Sequence, residues 1–162
     1  MNQTQTILDA EKVFGEAPIF KEPRIIGDWV LWLEQRPKEN GRTTALIRPW
    51  RQKDLRPQEL TPYPIDLKTK VHGYGGAPLS AALNESDLIL TWIDNCDNCL
   101  WMRSWSCENN NEQSSNFKLI PKVESICLSK QHNYFLGGGV IDLENNISAK
   151  VYLRSIQSIC IS

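Results

Sequence analysis

Three observations in the sequence predict an all-β fold, a partial β-propeller of about two blades and part of a third. Short runs rich in β-branched and aromatic residues alternate with turns built from Gly, Pro, Asn and Asp. That pattern occurs twice: Trp29–Leu33 aligns with Leu88–Trp92, Ala45–Trp50 with Leu100–Trp105, and Leu60–Pro62 with Leu119–Pro121, the copies standing about 55–59 residues apart. Propeller blades repeat at roughly 40–50 residues, and long loops account for the excess. Between the copies lies Leu67–Pro78, whose core Val71-His72-Gly73-Tyr74-Gly75-Gly76 sets aromatic rings between glycines, where the backbone is free to take positive φ or admit a close neighbour. Two similar hairpins in an unrelated β-fold would give the same repeat.

Taken in order, residues 1–21 read as a polar lead-in, with a short amphipathic helix over Thr6–Phe14 ended by Gly15 and Pro18. The β domain is expected over 22–162, in units of about 24–64, 79–121 and 126–162. Gly27-Asp28 is a turn, Trp29–Glu34 a strand, Pro37–Gly41 the next turn and Thr43–Arg48 the partner strand. A basic loop, Arg48–Arg56, leads to Glu59-Leu60-Thr61-Pro62. The second unit repeats this with Ala81–Leu83, a turn at Asn84–Asp87, and strands Leu88–Ile93 and Leu100–Trp105 around an Asp/Asn turn at Asp94–Asn98. Glu108–Asn116 is a polar loop, and Phe117–Ile120 a short strand stopped by Pro121. Ile126–Ser162 opens a third unit, with glycines at Gly137–Gly139, a turn at Glu144–Asn146 and a strand within Lys150–Ile161.

Composition narrows the function classes. A net charge of −1 over 162 residues argues against a nucleic-acid or anionic-membrane binder, which needs a basic field. No apolar run approaches the roughly 20 residues of a membrane span. The N-terminus lacks the basic and apolar regions of a signal peptide, and five cysteines read as thiols of a cytoplasmic protein rather than a disulfide framework.

Several residues invite chemistry. Cys96-x-x-Cys99 with Cys107 and Cys127 has half of a zinc pattern, but the second pair is too far apart, and the first sits in a hairpin turn rather than at a helix N-terminus. No metal or cofactor is expected, and Cys96 and Cys99 are expected to be dispensable. Arg48, Arg51, Lys53 and Arg56 around Trp50 have the look of a phosphate or single-strand site, diluted by Asp54 and read instead as a solvated loop. His72 beside Tyr74 reads as a structural histidine rather than a proton shuttle.

Trp32-Leu33-Glu34-Gln35-Arg36-Pro37, then Gly41-Arg42, then Leu60-Thr61-Pro62, then Lys70-Val71-His72 and Tyr74-Gly75-Gly76 resemble the N-terminal propeller of prolyl-oligopeptidase-type serine peptidases. The branch is that of dipeptidyl aminopeptidases and acylaminoacyl-peptidases, and the likeness runs from about Val13 to Asp142. Trp32, Glu34, Arg36, Pro37, Gly41, Arg42, Val71, His72, Tyr74, Gly75 and Gly76 carry it as structural residues. Gly73 stands where the family has glutamate, and Ala77-Pro78 replaces a glycine and a small residue. The resemblance implies a non-catalytic propeller portion that gates substrate access to a cytoplasmic peptidase, truncated before the hydrolase domain. No serine here sits in the G-x-S-x-G turn of that domain, and no catalytic residue is expected. The partner implied is a separately encoded α/β-hydrolase half, or further copies of the chain. A stand-alone β-rich binding module, or a small zinc-stabilised adaptor, is the reading outside the peptidases.

Overall fold

Apolar runs along Trp29–Leu33 and Leu88–Ile93 alternate in facing as strands do, the deepest burial falling on Trp29, Leu31 and Leu33 and on Leu88, Leu90 and Trp92, and burial of those faces organises the molecule. The computed structural model describes residues 15, 17–52, 54–70, 77–107, 118–129, 140–142 and 150–152. The first sheet joins β1 (Ile19–Ile26), β2 (Trp29–Arg36), β3 (Arg42–Pro49) and β4 (Gln58–Glu59) in chain order, each pair antiparallel. The second joins β5 (Leu79–Asn84), β6 (Asp87–Ile93), β7 (Leu100–Cys107) and β8 (Leu119–Pro121) in the same way. β9 (Ile126–Cys127) adds to β7, and β10 (Val140–Asp142) and β11 (Lys150–Tyr152) form a separate hairpin. β1 lies beside β5, and β5 beside β10, so the leading strands of the three units stand next to one another. That is the arrangement of propeller blades about a common axis: two blades and the start of a third.

The core lies between the two sheets. Trp29, Leu31 and Leu33 of β2 and Ile47 of β3 pack against Leu88, Leu90 and Trp92 of β6 and Trp105 of β7. Each blade's leading hairpin turns in two residues. Ile26 faces Trp29 across Gly27-Asp28, and Asn84 faces Asp87 across Glu85-Ser86. The first turn residue has positive φ in both, +56° at Gly27 and +53° at Glu85. Matching the turns places Val30 on Leu88, Trp32 on Leu90 and Glu34 on Trp92. The first blade therefore contributes the 29-31-33 face to the core, and the second contributes the opposite face. Successive blades related by rotation meet in this way, whereas a two-fold sandwich would join like faces. The alignment of Trp29–Leu33 with Leu88–Trp92 is thus one residue out of register, and in a strand one residue changes the face.

Three polar ties hold the blades together. Arg24 of β1 donates to the Leu79 carbonyl of β5 at 3.1 Å. At the outer edge the Gln58 amide donates to Leu119 O and accepts from Leu119 N, both at 2.7 Å. Leu67 bridges Asp94, and Asn95 N donates to Asp66 O at 2.8 Å. Gly27 allows a further close approach, since a Cβ there would stand 2.9 Å from Leu83 Cδ2.

Most expected strands lie where the patterns put them, with longer ends. Three boundaries differ. β1 starts at Ile19, inside the span read as lead-in, because a register shift between Lys21 and Arg24 breaks the alternation that announces a strand. Glu22 there has φ +49° and Pro23 follows, a combination suited to a bulged edge strand. Pro121 is the last residue of β8 rather than a stop before it, and its missing N–H falls on an edge. Ile126-Cys127, read as the opening of the third unit, pairs instead with β7, because Lys122 N donates to Ser104 O and carries the chain on along that strand beyond β8. The helix expected at Thr6–Phe14, the loop Glu108–Asn116, Phe117, and the turns at Gly137–Gly139 and Glu144–Asn146 lie outside the described residues.

Candidate functional site: an arginine clamp and an open sheet face

The W-x-E-x-R spacing puts Trp32, Glu34 and Arg36 on one face of β2. At the end of that strand Pro37 enters a 3-10 turn, Pro37–Glu39, and Asn40 takes a left-handed conformation. Gly41, at φ +72°, then returns its N–H to Arg36 O at 3.0 Å. This tight reversal sets Arg42 directly opposite Arg36. Two guanidinium groups side by side need carboxylates, and three arrive. Arg36 bonds Glu34 at 2.7 Å and reaches Glu39 and Glu59 at 3.1 Å. Arg42, only 6% exposed, bonds Glu59 at 2.8 Å and Glu39. Its Nη1 also donates to Thr61 O and Ile65 O, both at 3.1 Å.

Arg42 thereby clamps the Leu60-Thr61-Pro62 segment to the sheet. Thr61 completes the attachment: its hydroxyl accepts from Ala45 N at 2.8 Å, and its carbonyl accepts from Thr44 Oγ1. Burial alone would lower the Arg42 pKa and raise that of Glu59. Their mutual bond, with Glu39 on Arg42 and with Thr44 and Arg36 on Glu59, outweighs burial, so Arg42 is raised and Glu59 lowered. Glu39 is lowered chiefly by its bond from Arg42. Asp66, next along the chain, would be raised by burial, but Thr43 N–H, Lys68 and Asn95 hold it lowered. Charges this well satisfied are poor proton-transfer groups, and the constellation is a structural clamp.

The cysteine motif resolves similarly. Asp94 Oδ1 accepts from Cys96 N, Asp97 Oδ1 accepts from Cys99 N, and Asp97 Oδ2 accepts from Trp101 Nε1. The Asp/Asn turn read from the sequence is thus built by its aspartates. Asp94 pushes the Cys96 thiol up, and burial, Asp97 and Cys127 push up Cys99, so both are moved away from the reactive thiolate form. Among the described residues no three His, Cys, Asp or Glu side chains gather to hold a metal. Among them, too, no helix is long and apolar enough to cross a membrane. In the basic loop Arg51 stacks on Trp50 at 4.8 Å. Val71, His72, Tyr74, Gly75 and Gly76 lie outside the described residues, as do Lys53, His132 and the side chain of Cys107.

Trp32 leads to the remaining feature. Its ring borders an open groove of about 370 Å³ on the first sheet, with Phe20, Lys21, Pro23, Val30, Arg48 and Pro57. The Trp32 indole N–H is buried and has no hydrogen-bond partner. Sequence reasoning missed this groove because β1, β2 and the two ends of the basic loop, Arg48 and Pro57, come from separate segments. Gln58 and Asp66 were missed for the same reason: Leu119, bonded to Gln58, and Thr43 and Asn95, bonded to Asp66, are distant in sequence, and no local pattern announces them.

No protein-family model and no curated protein matches the sequence. Solved structures do share its fold. A puromycin-hydrolyzing peptidase from Mycobacterium tuberculosis is similar at TM-score 0.59 and 21% identity, over 86% of this chain and 18% of that one. The crystal structure of puromycin hydrolase is similar at TM-score 0.51 and 22% identity, over 72% and 16%. A mutant of puromycin hydrolase complexed with PGG gives 0.52 and 21% over the same shares. The chain thus spans less than a fifth of the length of each. At these identities the likeness is one of fold.

Proposed function

We propose that this chain is a non-catalytic propeller segment of a prolyl-oligopeptidase-type serine peptidase, of the dipeptidyl aminopeptidase or acylaminoacyl-peptidase branch. The observation that carries this reading is the convergence of the W-x-E-x-R, Gly-Arg and Leu-Thr-Pro motifs on one clamp, Arg42 with Glu59 and Thr61. The clamp sits in a blade whose fold resembles that of puromycin-hydrolysing enzymes. The segment covers a cytoplasmic α/β-hydrolase half and limits entry to small or unfolded peptides and comparable amides. The hydrolase half supplies the nucleophile, since no serine of this chain lies in a G-x-S-x-G turn.

The test is reconstitution. The purified chain, assayed with puromycin and with chromogenic aminoacyl amides, is expected to show no turnover. Co-expressed with an α/β-hydrolase half of this enzyme type, it is expected to co-purify and to alter the size range of peptides that half cleaves. Turnover by the chain alone that co-elutes with it and is blocked by a serine-directed phosphonate would overturn the reading, as would failure to bind the hydrolase half.

A further inference from the structure

The turn at the end of the second blade and strand β9 meet at a pair of thiols. Trp101 pairs with Cys127, Leu128 N donates to Leu100 O at 2.8 Å, and Leu100 N donates to Ser129 Oγ at 2.8 Å. This register sets Ser129 across from Cys99. Residues two apart along a strand share a face, so Cys99 and Cys127 both stand on the face of Trp101, one diagonal step apart. Their thiols are in hydrogen-bond contact. Ser129 touches both, its carbonyl accepting from Cys127 Sγ and its hydroxyl reaching Cys99. Asp97 holds Cys99 from the other side, its carboxylate accepting from Cys99 N and its carbonyl from Cys99 Sγ at 3.6 Å. Cys96 bonds Asp94 instead. The two sulfurs differ in access: Cys127 is exposed, and Cys99 is buried at 5%.

We propose that Cys99 and Cys127 form an oxidation site, at which hydrogen peroxide joins them in a disulfide that ties β9 to the end of the second blade. The exposed sulfur reacts first. Cys127 Sγ attacks one peroxide oxygen and the O–O bond breaks. The sulfur is oxidised to a sulfenic acid, and the departing hydroxide takes the thiol proton and leaves as water. Cys99 Sγ then attacks that sulfur. The S–S bond forms, the S–OH bond breaks, and hydroxide leaves as water with the Cys99 proton. One peroxide thus consumes two thiols and yields two waters. Burial shields Cys99 from the oxidant, so it meets only the sulfur beside it. Burial, Asp97 and Cys127 raise its thiol pKa and slow that attack, and contact with the target sulfur offsets the slowing. The bond closes a loop that holds β7 and β8, and so constrains the unfolded chain. The inference rests on the register of β9 and not on the peptidase reading, so failure of reconstitution leaves it standing.

The test treats the folded, reduced chain with a small excess of hydrogen peroxide, blocks the remaining thiols with iodoacetamide and digests with trypsin. Cys127 then falls alone in the peptide Val123–Lys130, and Cys96 and Cys99 share Val71–Arg103. The expected product is these two peptides joined, with fragmentation placing the bond at Cys99. The joined species is expected to vanish in Cys99→Ser and in Cys127→Ser and to persist in Cys96→Ser. The oxidised chain is expected to melt about 5 °C above the reduced one. A bond placed at Cys96, or oxidation that stops at Cys127 with Cys99 still free to alkylate, overturns the proposal. So does a link that forms equally well in urea, which marks chance pairing in an unfolded chain, or an oxidised chain that melts no higher. Fragmentation of the wild-type product decides the matter even where a serine variant fails to fold.

Discussion

The far ends of the two blades solve one problem with different chemistry. Both must reverse the chain between their second and third strands. The first does so at Pro37–Arg42, the second at Asp94–Leu100. In the first blade, a buried arginine gathers carboxylates and carbonyls from residues up to 23 positions away. In the second, aspartates accept from backbone N–H groups two residues on. The first end is therefore built by long-range charge and fastens a whole loop, while the aspartate bonds that shape the second are local and leave its reach to the first blade to Asn95 and the Leu67–Asp94 bridge. The same blade geometry does not require the same side chains, and the resemblance motif marks the blade whose fastening is non-local.

Removing the hub should break this comparison most severely. Arg42→Met takes one of its two arginines from Glu59 and the guanidinium from the Thr61 and Ile65 carbonyls, and breaking a buried pair in this way costs about 3–5 kcal/mol. Arg42→Lys should recover little, because an ammonium has three N–H donors clustered on one atom and the guanidinium spans four acceptors, on Glu39, Glu59, Thr61 and Ile65. Urea denaturation read by tryptophan fluorescence measures both. A loss below about 1 kcal/mol in Arg42→Met would show that the loop holds without its clamp.

Acid should act on the first blade's end next. Glu59, Glu39 and Asp66 have folded pKa values below their ordinary ones, 4.5 for the glutamates and 3.8 for the aspartate. Their contribution is whole above those ordinary values and drains away as pH falls through the lowered ones. Stability should be level from neutrality to about pH 5 and fall below it, and the fall should shrink in Arg42→Met. An unchanged acid slope in that variant would place the sensitivity elsewhere.

The smallest effect belongs to the second blade. Asp97→Ala removes the acceptor for Cys99 N and Trp101 Nε1, worth about 1–2 kcal/mol. It also removes a charge that helps hold the Cys99 thiol up, so thiol alkylation should gain at a given pH. A stability loss as large as that of Arg42→Met would erase the distinction between the two ends.

Legibility follows the same division. Strands β2, β3, β6 and β7 could be read because each is bounded by turn residues and is rich in β-branched, aromatic or aliphatic side chains. The Asp94–Cys99 turn was legible because its bonds run between neighbours in sequence. The register between blades was not. Tryptophans and leucines dominate an alignment by eye, and they occupy opposite faces in the two blades, so matching them slips the strands by one. Hairpin turns with the same backbone conformation carry the true correspondence, and one of them uses Gly27 where the other uses Glu85. The clamp was half legible: its residues stood in the motif, but nothing local says that Arg42 is buried on Glu59.

Gln58 has a consequence for how opening of the joint can be watched. The Leu119 amide proton is held by a side chain of the other blade and not by a strand partner. If the blades part while each sheet stays intact, that proton exchanges with solvent while those of β2 and β6 remain protected. Exchange at this one amide therefore times separation of the blades apart from unfolding of either, and in Gln58→Ala it should lose its protection while its neighbours keep theirs.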